Sequence, residues 1–197
     1  MPKGIPLTEE EQQRRRREII KVATRLFFEN GFNETSMREI ASAAGMGKST
    51  LYDYFESKDD ILVAYFEDEI QVITQAAQAL ARENLPADKK LRRIMEEHLD
   101  YLLANKNFYM KLSLESQRLN LEGQKRLAVA RHAFQDMIRD LIEEGIREGC
   151  FRPIDSMLAM RVILGAVTPV VFTTRPSGTP HEMLSRALDM IFNGICL

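Results

Sequence analysis

Residues that carry out chemistry are scarce in this chain. Its 197 residues include no tryptophan, two cysteines and three histidines. Cys150 and Cys196 lack the CxxC spacing of zinc and redox sites, and His98, His132 and His181 lie far apart without i, i+4 partners. No glycine-rich phosphate loop or spaced catalytic cluster occurs. We therefore predict no catalytic residue, no metal and no cofactor, and a protein that is not an enzyme.

Long apolar runs are also lacking. The most apolar run, from Val162 to Thr174, contains Pro169 and falls short of the roughly 20 residues that a membrane helix needs. The charged N-terminus does not have the pattern of a secretory signal. The sequence thus predicts a soluble, cytoplasmic protein that contacts no membrane.

Strand signals are rare, whereas hydrophobic residues make up 45% of the chain. Leu, Ala, Met, Glu, Arg and Gln, all good helix formers, dominate the periodic segments. We predict an all-α fold, with helices from Thr8 or Glu11 to Asn30, from Ser36, from Gly47 or Lys48, from Ser57 to about Arg82, and over about 87–104, 106–120, 122–148, 155–172 and 180–195.

Two of these helices are short and joined by a glycine. Ser36 and Glu39 fit a capping box at the start of the first. Gly45 ends that helix, and small alanines allow close packing where the two helices cross. This arrangement predicts a helix-turn-helix centred on residues 44–52, with the second helix able to enter the major groove of DNA.

The net charge of −2 argues against a protein that is basic over its whole surface. Positive charge is nevertheless concentrated near the start, with nine cations against six anions from Gln12 to Lys58. The run from Arg14 to Arg17 has two interpretations, a phosphate-binding arm or a solvated helix face. Only one or two of these four consecutive side chains are expected to face DNA.

A longer pattern spans about residues 14–62. It contains Gly31-Phe32, Thr35-Ser36, Ile40-Ala41, Ala44-Gly45-Met46, the segment from Lys48 to Phe55, and Lys58. This pattern resembles the N-terminal signature of the TetR family of transcriptional regulators. The resemblance implies a homodimer whose residues 1–57 form an arm and a three-helix DNA-binding domain, and whose residues 58–197 form a larger helical domain for effector binding and dimerisation.

The resemblance also implies which residues contact DNA. By position they are Thr35, Ser36 and Arg38 near the DNA backbone, Gly47, Lys48, Ser49, Thr50, Tyr52, Asp53 and Tyr54 around the recognition helix, and Lys58 at a phosphate. Tyr52 is expected mainly to pack in the small core. The chain departs from the family at Gly47, which lacks a capping hydroxyl, so the recognition helix is expected to start differently. Asp53 places an acid on the presumed DNA face. One interpretation is that it accepts a hydrogen bond from cytosine N4; because phosphates repel an acid, we expect instead that it points sideways or pairs with a neighbouring cation.

Methionine and aromatic residues are abundant after residue 95, and such residues line adaptable apolar pockets. Together with interspersed polar side chains they predict a site for a small, largely apolar effector. The candidate residues are Tyr101, Phe108, Met110, Glu115, Arg118, His132, Gln135 and Met160.

The last two predicted helices, 155–172 and 180–195, have apolar faces. Gly165 and Ala166 permit a close helix approach, as in the family's four-helix dimer interface; the alternative is that these faces form the monomer's own core. The predicted function is a TetR-like repressor that a small molecule releases from a pseudo-palindromic operator in double-stranded DNA. The alternatives are a DNA-binding regulator without an effector, and a helical enzyme or scaffold that does not bind DNA.

Overall fold

The computed structural model describes residues 8–195, with the side chains of Leu112 and Ile195 left out. Residues 1–7 of the predicted N-terminal arm, and Cys196, lie outside the described residues. Within residues 8–195 every regular element is a helix, so the all-α prediction is confirmed.

The helices follow one another along the chain with short connections. They are α1 (Glu9–Asn30), α2 (Met37–Ala43), α3 (Lys48–Tyr52), α4 (Lys58–Ala81), α5 (Ala87–Ala104), α6 (Lys106–Ser116), α7 (Leu121–Arg147), α8 (Ser156–Gly165), α9 (Val167–Phe172) and α10 (Pro180–Ile195).

The predicted helix over 155–172 is wrong in one respect, since it is divided into α8 and α9 at Ala166. Pro169 explains the division. Its ring nitrogen has no hydrogen to donate to the carbonyl of Gly165, four residues earlier, and the ring crowds that carbonyl. The helix therefore breaks one turn before the proline.

The chain forms two compact units. The first comprises the described residues up to Asp68, from Thr8 onward, together with Met110–Leu127. Its core includes Ile19, Phe27, Ile40, Leu51 and Phe55, each at most 4% exposed. These side chains come from α1, α2, α3 and the turn after α3, so the three helices enclose one small apolar centre.

The second unit comprises Glu69–Tyr109 and the residues from Ala128 onward. Its core draws on α5, α7, α8, α9 and α10, with Leu99, Ile138, Ile163 and Leu188 fully buried. This larger apolar centre accounts for most of the buried hydrophobic residues in the described part of the chain.

Candidate nucleic-acid interface and effector cavity

The turn between α2 and α3 has the geometry of a Schellman motif. Gly45 adopts φ +66°, a left-handed conformation that favours glycine. The N–H of Met46 donates to the carbonyl of Ala41 at 3.0 Å, and the N–H of Gly45 donates to the carbonyl of Ser42 at 3.1 Å. These two bonds end α2 and direct the chain into α3.

The α3 segment buries one side of its surface and exposes the other. Leu51 and Phe55 are buried in the small core. Lys48, Ser49, Tyr52 and Asp53 are exposed, and Thr50 and Tyr54 are half-buried. The structure thus brings the predicted recognition-helix residues onto one accessible surface.

Tyr52 corrects one expectation from the sequence. It does not pack in the core, since its side chain is 43% exposed. The ammonium group of Lys48 lies 5.6 Å from the centre of its ring, a cation–π contact. Leu51 takes the core position because the helix turns by about 100° between consecutive residues.

Gly47 occupies the N-cap of α3 with extended backbone dihedrals and makes no side-chain capping bond. The recognition helix therefore begins at Lys48, although the capping hydroxyl is missing. The N–H of Leu51 donates to the carbonyl of Gly47 at 3.1 Å. Asp53 follows the last residue of the helix and is exposed, so the acid lies at the end of α3 and not in its middle.

The capping box at the start of α2 is confirmed. Ser36 Oγ accepts from the N–H of Glu39 at 3.2 Å, and the Glu39 carboxylate accepts from the N–H of Ser36 at 2.7 Å. The hydrogen bonds from Ser36 lower the pKa of Glu39, which keeps this carboxylate ionised. Both Ser36 and Arg38 are exposed, so the predicted backbone-contacting side chains of α2 are accessible.

Thr35 has a structural role. Its side chain is 1% exposed, and its hydroxyl donates to the carbonyl of Gly31 at 2.8 Å. The residue holds the loop between α1 and α2. Because the whole residue is buried, neither its side chain nor its main chain is accessible, and the predicted contact between Thr35 and DNA is not part of the proposed interface.

Lys58 ties the start of α4 to the same loop. Its ammonium donates to the carbonyl of Phe32 at 2.7 Å and to the carbonyl of Asn33 at 3.1 Å. It also lies 4.9 Å from the centre of the Phe32 ring. The predicted phosphate contact would thus come from a lysine that already orders the loop leading into α2.

Within the run from Arg14 to Arg17, one side chain packs against the protein and the other three are exposed. Arg16 stacks over the ring of Phe55, with 5.2 Å from its guanidinium carbon to the ring centre, and lies 3.9 Å from a carboxylate oxygen of Asp68. Arg14, Arg15 and Arg17 are exposed. Arg16 therefore stabilises the first unit, and the other three remain candidates for phosphate contacts.

An ion-pair cluster in the first unit was not predicted. The Arg126 guanidinium donates to both carboxylate oxygens of Glu67, at 3.0 and 2.6 Å, and lies 3.8 Å from Asp60. Next to it, a Cβ on Gly123 would lie only 3.0 Å from Val63. These contacts join α4 to the start of α7 across 59 residues of sequence, and no local pattern marks such a pair.

The eight predicted effector residues are scattered. Tyr101 lines a cavity, and Met160 is buried in the core of the second unit. His132, Arg118 and Met110 are exposed. The remaining candidates are half-buried: Phe108, Glu115 and Gln135.

The cavity that Tyr101 lines lies in the second unit, between α4 and α5. It has a volume of about 60 Å³. Its walls come from one face of each of two helices, at positions i, i+1, i+4 and i+5 of α4 and at positions i, i+3, i+4 and i+7 of α5. These residues are Val72, Ile73, Ala76 and Ala77 of α4, and Ile94, Glu97, His98 and Tyr101 of α5. The helical spacing of these residues is visible in the sequence, but the sequence does not show which faces of the two helices pack against each other.

His98 is the buried titratable group of this cavity. Burial lowers its pKa to about 4, because an apolar surrounding disfavours the charged imidazolium. Its ring packs edge-to-face against Phe134, with 5.5 Å between ring centres. The folded protein therefore holds a neutral histidine at this position at pH 7.

The lowered pKa of His98 predicts a loss of stability in mild acid. Below pH 6.5 the unfolded chain binds a proton at this residue, whereas the folded chain binds it only near pH 4. Between pH 7 and pH 5 this difference removes about 2 kcal/mol of unfolding free energy. Urea denaturation at the two pH values measures it, and His98→Gln should lose correspondingly less stability. Equal losses in both proteins would contradict the assignment.

Apolar side chains are exposed on α8 and α10 in the second unit. Leu158 is 57% exposed, Val162 49% and Met190 79%. Leu158 and Val162 are one helical turn apart and share a face. On Gly165, a Cβ would have no atom within 4 Å, so this face is open to a close neighbour. These are the two predicted dimer segments, and their apolar faces are only partly used by the monomer's core.

Residues 8–195 contain no group of three or more His, Cys, Asp or Glu residues arranged to hold a metal ion. No helix among them has the length and apolar character needed to cross a membrane.

A capped α2, a left-handed glycine turn and an exposed, lysine-bearing α3 on one small core define a helix-turn-helix DNA-binding protein. The model of the bacterial regulatory proteins of the tetR family matches residues 19–65. A second model, the tetracyclin repressor-like C-terminal domain, matches residues 84–195. The chain belongs to the tetR family of bacterial regulatory proteins.

Known proteins resemble the chain over nearly its whole length. The fatty acid metabolism regulator protein of Bacillus subtilis (strain 168) is 25% identical over 182 residues, which cover 90% of this chain and 94% of the relative. The crystal structure of FadR from Bacillus subtilis in complex with stearoyl-CoA has a TM-score of 0.78 at 24% identity, covering 91% of this chain and 98% of that one. AibR in complex with isovaleryl coenzyme A and operator DNA has a TM-score of 0.67 at 23% identity, covering 90% and 98%.

These findings confirm the predicted class of function. The chain is a DNA-binding transcriptional regulator.

Proposed function

We propose that the chain binds a pseudo-palindromic operator as a homodimer and leaves it when an acyl-coenzyme A thioester binds the second unit. The observation that carries the DNA-binding part is the exposed α3 surface of Lys48, Ser49, Tyr52 and Asp53. Ser36 and Arg38 are exposed at the start of α2, where phosphate contacts position such a domain. Gly47, Thr50, Tyr54 and Lys58 complete the proposed contact set.

The effector class is supported by two related folds. FadR from Bacillus subtilis was solved with stearoyl-CoA and AibR with isovaleryl coenzyme A. The second unit of this chain has an apolar cavity with few polar groups, which suits an acyl chain with one polar end. An effector that binds the DNA-incompatible form more tightly shifts the population toward it.

The domain boundary and the dimer belong to the same proposal. Residues 1–57 would read DNA, and residues 58–197 would bind effector and dimerise. The exposed apolar faces of α8 and α10 supply the contact between protomers, because apolar surface of this kind is stabilised by burial. A cytoplasmic location, where operator DNA and coenzyme A esters meet, stays a prediction.

A release assay tests the effector class. Fluorescence anisotropy of a labelled fragment from the chain's own promoter measures the bound fraction as stearoyl-CoA or isovaleryl-CoA is added. We expect at least one thioester to weaken DNA binding by about tenfold or more. Coenzyme A alone serves as the control and should have little effect. Equal behaviour of coenzyme A and both thioesters would refute the proposed effector class and leave the DNA-binding function standing.

A further inference from the structure

The cavity between α4 and α5 has one apolar wall and one mixed wall. On α4, Ala76 and Ala77 leave space where larger side chains would fill it. On α5, Ile94 and His98 face this space one turn apart. Val72 and Glu97 also line the cavity and are exposed, so they form its rim toward solvent.

His98 carries an unsatisfied hydrogen-bonding atom in this wall. Its Nδ1 is buried and has no hydrogen-bond partner among the described residues. Buried polar atoms in native proteins are nearly always paired, so an unpaired one calls for a partner. A water molecule is a poor candidate for this partner, because a buried water needs two or more polar neighbours and the cavity is largely apolar.

The other polar side chains that line the cavity either have a hydrogen-bond partner or lie at the solvent-exposed rim. The hydroxyl of Tyr101 donates to the carboxylate of Glu69. Glu97 is exposed at the rim. Among the residues that line the cavity, His98 is thus the one whose buried ring nitrogen has no hydrogen-bond partner in the described part of the chain.

We propose that the acyl chain of the effector enters between α4 and α5 through the rim at Val72 and Glu97, and that His98 is the polar anchor that hydrogen-bonds its carbonyl oxygen. This inference rests on the proposed acyl-coenzyme A function. It adds the location of the acyl-chain site and the residue that determines its specificity.

The chemistry of His98 selects a neutral polar group. A neutral imidazole with its proton on Nδ1 donates one hydrogen bond, which a thioester or ester carbonyl accepts. The ring is uncharged at pH 7 because burial lowers its pKa to about 4. A carboxylate placed here would be a buried charge without a cation, and the Glu97 carboxylate at the rim would repel it. Acyl esters are therefore preferred over the corresponding fatty acid.

The cavity must widen to admit such a chain. Its volume of about 60 Å³ lies well below the roughly 300–1,000 Å³ of ligand pockets. Nδ1 itself is shielded in this structure, so the ligand reaches it as α4 and α5 separate. Binding of the acyl chain would therefore enlarge this cavity.

Two variants of α4 test the location. Ala76→Leu fills the cavity, and Ala79→Leu places the same side chain on an exposed position of the same helix. The affinity for lauroyl-CoA is measured by calorimetry, and operator affinity without effector reports on folding. We expect Ala76→Leu to weaken lauroyl-CoA binding by about tenfold or more, with Ala79→Leu unchanged and operator affinity retained in both. Wild-type affinity in Ala76→Leu would overturn the location.

Two variants of α5 test the anchor. His98→Phe keeps an aromatic ring against Phe134 but loses the donor, and His98→Gln keeps a donor. We expect about a tenfold loss of lauroyl-CoA affinity in the first and partial rescue in the second. In protein with ¹³C-labelled histidine, the ring signal that His98→Gln removes should move when lauroyl-CoA binds. Unchanged affinity in His98→Phe together with an unmoved signal would overturn the anchor.

Methyl laurate and laurate separate this inference from the proposed function. If methyl laurate binds and Ala76→Leu weakens it, the cavity site stands even when no coenzyme A thioester releases DNA. Laurate is expected to bind about tenfold more weakly than methyl laurate at pH 7. If neither lauroyl-CoA nor methyl laurate binds the wild-type protein, or if laurate binds as tightly as its ester, the inference is wrong.

Discussion

Replacing Lys58 with methionine is expected to weaken binding to every DNA sequence by about tenfold, which is roughly 1.4 kcal/mol. In the structure its ammonium bonds the carbonyls of Phe32 and Asn33, so the substitution removes a cation and loosens the loop before α2. Fluorescence anisotropy at several salt concentrations measures both effects. If Lys58 also contacts a phosphate, the slope of log affinity against log salt falls by about 1.

Lys89→Met is the matched control, because Lys89 is exposed on α5 in the second unit. It should leave affinity and salt slope unchanged. A tenfold loss of affinity with an unaltered salt slope would show that Lys58 only orders the loop before α2. Full affinity in Lys58→Met would contradict both roles, and a loss confined to one DNA sequence would contradict the phosphate contact.

Introducing arginine at Val162 is expected to separate the dimer and reduce operator affinity by about a hundredfold or more, since a monomer engages one half-site and loses the gain from linked binding. Val162 is 49% exposed and shares a face of α8 with Leu158. An unpaired charge buried in an apolar interface is strongly unfavourable. Sedimentation velocity measures the oligomeric state, and anisotropy measures operator binding in the same samples.

Val129→Arg tests whether any exposed apolar position has this effect. Val129 is 69% exposed on α7, outside the two proposed dimer segments. We expect this variant to sediment and bind DNA like the wild type. A dimeric Val162→Arg protein, or a monomeric Val129→Arg protein, would place the interface elsewhere.

The features that were predictable from sequence are local ones. Ser36 and Glu39 are three residues apart, and the capping box needs nothing beyond that spacing. Gly45 at the end of α2 follows the same rule, because the left-handed turn depends on one residue and its immediate neighbours. The start of α3 at Lys48 was within one residue of its predicted position.

The features that escaped prediction depend on contacts distant in sequence. The sequence led us to expect Tyr52 in the small core, and only the packing of three helices shows that Leu51 is inside and Tyr52 outside. Arg126 and Glu67 meet across 59 residues.

The effector residues were the least predictable part of the site. Methionine and aromatic content pointed to the region after residue 95, but the cavity includes the α4 segment from Val72 to Ala77. His98 lacked any motif, and its significance comes from burial beside an apolar space. Such a position is set by which helix faces pack together, and composition does not specify that.

The most direct test of the regulator assignment compares two DNA fragments of equal length and composition, one from the chain's own promoter region and one with its sequence scrambled. Anisotropy titrations of the full chain at several salt concentrations give both affinities. The exposed α3 surface predicts that the promoter fragment binds about a thousandfold more tightly or better, with protection of two half-sites about 34–36 Å apart. Equal affinity for the two fragments at every salt concentration would contradict specific regulation by this protein.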